Sequence, residues 1–209
     1  MIRRSIAAAL LSILLCGAAP APDRPLVLAF GDSLTAGYGL DAGLGFAPQL
    51  QGMLRRHGIA AVVADGGVSG DTSEAAKARI GWTLDGLPRK PDLVIVELGA
   101  NDMLRVLDPA LTRANLEAIM VELKRRDIKV LVAGMRAAPN LDPGYVARFE
   151  AIYPRLAREN GSAIYPFFME GVAGQKGMIQ QDGMHPTFAG VKRIVTGITP
   201  AVKAALGRP

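Results

Sequence analysis

A serine hydroxyl becomes a useful nucleophile only when a neighbouring base takes its proton, and histidine is the usual base because it titrates near neutral pH. The sequence contains only two histidines. His57 ends a helical, basic stretch, Leu54-Arg55-Arg56-His57-Gly58, where a solvated helix terminus is its ordinary role. His185 lies instead in a polar turn, Gln181-Asp182-Gly183-Met184-His185-Pro186, immediately before the last helical pattern. Asp182, three residues earlier, is close enough on a turn to accept from the imidazole, fix its tautomer and stabilise the imidazolium formed during attack. On their own, these two residues fit equally well with merely structuring the turn. Ser33 gives them a nucleophile to serve: it follows an apolar run in Gly31-Asp32-Ser33-Leu34.

The elements that must position these residues are readable from apolar patterning. Short apolar runs at Leu26–Phe30, Ile59–Ala64, Leu93–Val96 and Val130–Ala133 each end at or near glycine, as expected for strands buried on both faces of a parallel sheet. Helical patterns lie between and after them, at about Gly45–His57, Ser73–Leu87, Pro109–Arg126, Pro143–Asn160 and Pro186–Leu206. Asp108 before Pro109 is a good helix start, and Thr72 or Ser73 can cap the second helix. Strand alternating with helix predicts an α/β domain, a three-layer α/β/α sandwich around a central parallel sheet.

In such a sheet, ligand-contacting groups gather beyond the carboxyl ends of the strands. Three polar turns fall there: Gly31-Asp32-Ser33-Leu34, Val68-Ser69-Gly70-Asp71-Thr72 and Gly99-Ala100-Asn101-Asp102. Gly70 alone reads as a turn residue, and Asn101 fits equally well with bonding its own loop. Asp32 and Asp102 read as carboxylates that fix local backbone.

Four blocks occur in order: Phe30-Gly31-Asp32-Ser33-Leu34-Thr35-Ala36-Gly37, Gly67-Val68-Ser69-Gly70-Asp71-Thr72, Glu97-Leu98-Gly99-Ala100-Asn101-Asp102 and Asp182-Gly183-Met184-His185-Pro186. With these motifs the chain resembles the SGNH or GDSL hydrolase family over nearly all of its length beyond the first 21 residues. Within that family it is most similar to bacterial periplasmic enzymes with combined thioesterase, arylesterase and lysophospholipase activity. The resemblance implies a flavodoxin-like fold and an acyl-enzyme mechanism without a cofactor or metal. Ser33 would be the nucleophile, with Asp182 and His185 completing the triad. The oxyanion hole would come from the Ser33 and Gly70 backbone N–H groups and the Asn101 side-chain amide. Two positions depart from the pattern: Asp65 stands where asparagine is frequent, and Ala100 where glycine is frequent.

The apolar segment after Asn101 suggests an acyl groove, with Leu104, Val106 and Met184 as substrate-contacting residues. Ile179 and Met184 are each equally suited to walling the site or packing the core, and Arg105 reads as solvated. A small-molecule or lipid ester or thioester is therefore the expected partner. Two other readings remain: a carbohydrate O-deacetylase of the same fold, which calls for a shallower polar cleft, and a non-catalytic lipid- or glycan-binding protein.

Composition narrows the remaining classes. At 209 residues, 50% hydrophobic and 21% charged, the chain suits one folded domain. Arg3 and Arg4, the apolar run Ile6–Leu15 and the small residues through Ala21 have the order of a secretory signal. Residues 1–21 are therefore expected to be removed on export to the periplasm or beyond, leaving a hydrolase domain at 22–209. The run is too short to cross a bilayer. Cys16, the only cysteine, lies within it, and Leu15 occupies a position where lipid attachment calls for a small residue. The exported chain then has neither disulfide nor thiolate metal site, and two distant histidines make a poor metal set. Setting aside Arg3 and Arg4 leaves 22 basic against 19 acidic side chains. Without a basic stripe interleaved with aromatics, this excess gives no reason to expect nucleic-acid binding, and a monomer is the expected form.

Overall fold

The computed structural model describes residues 24–208. The expected export signal lies outside the described residues. Five strands form one parallel sheet in the order β2-β1-β3-β4-β5, comprising β1 (Leu26–Gly31), β2 (Val62–Gly67), β3 (Leu93–Glu97), β4 (Lys129–Ala133) and β5 (Ala163–Tyr165). This is the flavodoxin-like, doubly wound order, which reverses direction between β1 and β3. Both strands are buried along their whole length, which explains why they read as unbroken apolar runs rather than alternating ones.

Helices cover both faces. On one, α2 (Phe46–Arg56) packs against α8 (Phe188–Ala205). On the other, α3 (Ser73–Asp85) packs against α5 (Pro109–Arg125), which also touches α6 (Pro143–Glu150) and α7 (Ile152–Glu159). The caps follow the sequence: Asp108 accepts from the Ala110 N–H at 3.0 Å, with Pro109 opening α5, and Thr72 accepts from the Ala75 N–H at 3.3 Å. None of the helices among the described residues is long and apolar enough to cross a membrane.

Several boundaries differ from expectation for local reasons. β2 starts at Val62 because Ile59 is occupied in closing α2, its N–H donating to the Leu54 carbonyl at 2.9 Å. The helix expected over Pro143–Asn160 is two helices meeting at Ala151. Pro154 lacks the N–H that would bond the Glu150 carbonyl one turn back, and its ring crowds that carbonyl. α8 begins at Phe188 rather than Pro186: Thr187 is its cap, and Pro186 pairs with Ile179 in an isolated antiparallel bridge. Three short elements gave no periodic signal: β5, α1 (Ser33–Ala36) and α4 (Ala100–Leu104).

The register carries the sheet's geometry to the site. Gly31 stands opposite Glu97, Glu97 opposite Ala133, and Ala133 opposite Tyr165. The four strands thus end on one line, about 14 Å long at roughly 4.8 Å per strand. Everything that follows those residues emerges on the same rim.

Candidate active site

Ser33 is the first residue of α1, placed directly after β1 at the point where the strand order reverses. Asp32 caps this turn through the Leu34 N–H at 3.0 Å, and the Ser33 carbonyl accepts from the N–H groups of Gly37 and Tyr38, both at 3.1 Å. Gly31 has to be glycine because a Cβ there would collide with the Thr35 hydroxyl and the Glu97 carboxyl.

His185 arrives from the other end of the chain on a loop closed by backbone bonds, with Gln180 N–H donating to the His185 carbonyl at 2.8 Å and Thr187 N–H to the Met178 carbonyl at 2.9 Å. Its Nε2 lies 2.9 Å from Ser33 Oγ, and its Nδ1 lies 2.6 Å from Asp182 Oδ2. Asp182 Oδ1 accepts from the backbone N–H groups of Met184 and His185 at 2.9 and 3.0 Å. The Met184 N–H, the imidazole and the His185 N–H together hold the Asp182 carboxyl down at about 2. The structure therefore brings Ser33, His185 and Asp182 into one hydrogen-bonded line. His57 ends α2, away from this line.

The second and third polar turns meet the same rim. Gly70 adopts φ +88°, a left-handed conformation that explains the glycine, since a Cβ there would meet nothing within 4 Å. Its N–H makes no backbone hydrogen bond among the described residues, while its carbonyl accepts from Arg105 at 3.1 Å. Asn101, in the first turn of α4, donates through Nδ2 to the Asp71 carbonyl at 2.9 Å and to Asp32 Oδ2 at 3.2 Å. Asp102 is buried and fixes the loops, accepting from the Ser73 N–H at 2.8 Å and from the Ser73 and Thr112 hydroxyls. Asp65 accepts from the Gly67 N–H at 2.9 Å.

Around the serine sit Asp32, read from the sequence only as a backbone-fixing carboxylate, and three groups that sequence reasoning passed over, Glu97, Arg79 and Tyr38. Asp32 is fully buried, and loss of hydration pushes its carboxyl up to about 6 against the opposing pull of the Leu34 N–H, His185 and Asn101. Glu97, which ends β3, is also fully buried. Its Oε2 accepts from the Thr35 hydroxyl at 2.8 Å, its Oε1 has no partner, and burial with the nearby Asp32 charge drives its carboxyl well above the ordinary value. Arg79 joins the second turn to the first: it pairs with Asp71 at 2.5 Å, donates to the Gly31 carbonyl at 2.9 Å and lies over the Phe30 ring. Tyr38 places its ring 4.5 Å from that of His185. A carboxylate closing the buried run Leu93-Val94-Ile95-Val96-Glu97 was the one visible signal among these.

A cleft of about 430 Å³ opens at Ser33 and His185. It follows the line of strand ends, past Asn101 and Met103 beyond β3, Met135 and Ala137 beyond β4, and Phe167 and Met169 beyond β5. Leu104 and Met184 line it. Val106 does not: α4 stops at Leu104, the chain turns through φ +51° at Val106, and that side chain is left 58% exposed outside the cleft. Ile179 packs partly buried against the core. Among the described residues no group of three or more His, Cys, Asp or Glu is placed to hold a metal ion.

The comparisons agree with this geometry. The chain is 38% identical over 180 residues to Esterase TesA of Pseudomonas aeruginosa, covering 86% of this chain and 89% of that protein. It is 36% identical over 174 residues to Thioesterase 1/protease 1/lysophospholipase L1 of Escherichia coli, covering 83% and 80%. The solved structure of AlinE4, an SGNH-hydrolase family esterase, superposes with a TM-score of 0.76 at 49% identity, covering 88% of this chain and 98% of that one. Residues 29–193 match the GDSL-like Lipase/Acylhydrolase family, and with these relatives the match makes the chain a member of that family.

Proposed function

We propose that Ser33, His185 and Asp182 form the catalytic triad of a serine hydrolase that cleaves carboxylic esters and thioesters of apolar acyl chains. The observation that carries this reading is the unbroken line Asp182 Oδ2–His185 Nδ1 at 2.6 Å and His185 Nε2–Ser33 Oγ at 2.9 Å, opening onto an apolar cleft.

His185 Nε2 takes the Ser33 proton as Oγ bonds to the substrate carbonyl carbon, and the carbonyl electron pair moves to oxygen. Asp182, its carboxyl held down at about 2 by the Met184 N–H, the imidazole and the His185 N–H, stabilises the imidazolium and holds its Nδ1–H. The oxyanion is met by the backbone N–H groups of Ser33 and Gly70 and by the Asn101 amide. The Asn101 donors are engaged by Asp71 and Asp32, and the longer bond to Asp32, at 3.2 Å, is the one the oxyanion displaces. Collapse of this intermediate breaks the bond to the alkoxide or thiolate, which leaves with the proton from His185. Water, deprotonated by the same imidazole, then attacks the acyl carbon, and the bond to Ser33 Oγ breaks as His185 returns the proton to Oγ, releasing the acid.

The mostly apolar lining favours an acyl chain over a sugar acetate, with Leu104 and Met184 flanking the entrance and Phe167 and Met169 at the far end. Residues 1–21 would direct the chain out of the cytoplasm, and the remaining chain would act as a monomer on small-molecule or lipid esters.

A p-nitrophenyl ester series from C2 to C16, with an acetylated sugar alongside, tests the substrate class. Each methylene that enters the cleft is worth about 0.8 kcal/mol, so kcat/KM should rise about fourfold per methylene until the cleft is filled. Strict preference for the sugar acetate would contradict it.

A further inference from the structure

Ser33 and His185 are connected twice. One connection is the side-chain bond already described; the other runs through backbone and ends on Gln180. The Ser33 carbonyl accepts from the Tyr38 N–H at 3.1 Å. The Tyr38 carbonyl accepts from Gln180 Nε2 at 2.7 Å, and the same Nε2 donates to the Pro186 carbonyl at 2.8 Å. The Gln180 backbone N–H completes the circuit by donating to the His185 carbonyl at 2.8 Å. One primary amide thus spends both of its N–H groups joining the turn that carries the serine to the loop that carries the histidine, across 142 positions of sequence.

The surrounding residues leave little freedom. Gly39, at φ +74°, makes room for the amide, since a Cβ there would collide with Gln180 Oε1. The bridge between Ile179 and Pro186 fixes the base of the loop on either side of Gln180 and His185. The Tyr38 ring, whose carbonyl Gln180 holds, lies against the His185 ring at 4.5 Å. The circuit therefore sets both the separation of the loops and the tilt of the imidazole. The histidine loop is exposed at Gln181, Asp182, Gly183 and Met184, and the circuit ties it to the serine turn alongside the Ser33–His185 bond and the Tyr38 ring.

We infer that Gln180 is a positioning residue for the reaction: its amide sets the Ser33–His185 distance. This rests on the triad reading above and adds to it a residue outside the four sequence blocks. Gln180 touches neither substrate nor reacting atoms, so it acts entirely through His185. Displacing a reacting group by about 1 Å costs about 100-fold.

The test compares Gln180→Met, which keeps the length and removes both donors, with Gln180→Glu, which keeps the shape and replaces the donor nitrogen with an acceptor oxygen. Steady-state kinetics on a p-nitrophenyl ester are measured alongside melting temperature and fluorophosphonate labelling. Both variants are expected to lose about 10- to 100-fold in kcat with KM within twofold, and to label more slowly in proportion, while still reaching full labelling. In a His185→Ala background, Gln180→Met should cost nothing further, because the group it positions is gone. A purely structural role would instead lower the labelled fraction or the melting temperature and persist in the His185→Ala background; either result overturns the inference. So would wild-type kcat in both single variants. If His185→Ala itself kept full activity, the triad reading would fall as well, which separates the two outcomes.

Discussion

Ser33 Oγ and His185 Nε2 are 2.9 Å apart although 152 positions separate them in the chain. Neither residue reaches the other through its own element. β1 and the Asp32-capped turn hold the serine on the rim where the strand order reverses, and a loop anchored by the Ile179–Pro186 bridge lowers the histidine onto it. The contact is thus a product of the whole sheet.

Removing members of the line should have unequal effects. Ser33→Ala and His185→Ala are each expected to lower kcat on a p-nitrophenyl ester by at least 10⁴, leaving KM nearly unchanged, whereas Asp182→Asn keeps the shape and loses less than either partner. Stopped-flow and steady-state assays on purified variants check this. Near-wild-type turnover by His185→Ala would require a different base.

The buried and exposed carboxyls predict opposite pH effects on stability. Glu97 is held protonated more strongly in the fold than in the unfolded chain, where glutamate titrates near about 4.3. Its contribution is therefore full below that pH and is lost as pH rises. Glu97→Gln should then raise the melting temperature relative to wild type at pH 8 more than at pH 4. Asp182 has the reverse sign: its contribution is present above the ordinary carboxylate value and is lost as pH falls towards about 2. Asp182→Asn should flatten the melting curve between pH 4 and pH 2. Equal shifts at both ends of the range would contradict these assignments.

The oxyanion donors should separate from binding. Asn101→Ala is expected to lose about 10²–10³ in kcat. Gly70→Ala meets open space but must hold φ +88°, which costs about 1–2 kcal/mol and tilts the N–H, so kcat falls while the fold survives. The check is kcat against KM with circular dichroism on the same samples; a rise in KM alone would assign both residues to substrate binding.

Chain-length preference should depend on the far end of the cleft. Ala173 lines it and is exposed, so Ala173→Trp adds bulk without disturbing the core. Long-acyl esters should lose about tenfold in kcat/KM while acetate and butyrate esters are unaffected. A uniform loss across the series would place the acyl chain elsewhere.

Much of this was legible in the sequence where chemistry and periodicity coincide. β1 and β3 are buried on both faces, so their apolar runs marked them directly, and the capped starts at Asp108 and Thr72 marked α5 and α3. Ser33, His185, Asp182, Gly70 and Asn101 sit in turns whose composition departs from their surroundings. Gln180, Tyr38, Arg79 and Glu97 escaped notice because their importance lies in long-range partners: Gln180 reaches Tyr38, Arg79 reaches Gly31, and Glu97 reaches Thr35. No local pattern encodes such pairings. Val106 misled in the opposite way. An apolar side chain beside a site looks like a wall until the backbone, here at φ +51°, turns it outward.

Covalent trapping with a fluorophosphonate followed by peptide mapping is the most direct test. The expected result is one phosphonyl group per chain on the peptide carrying Ser33, blocked by a substrate ester and absent from Ser33→Ala. Absence of labelling in active protein, or a label on any other serine, would contradict the assignment of Ser33 as the nucleophile.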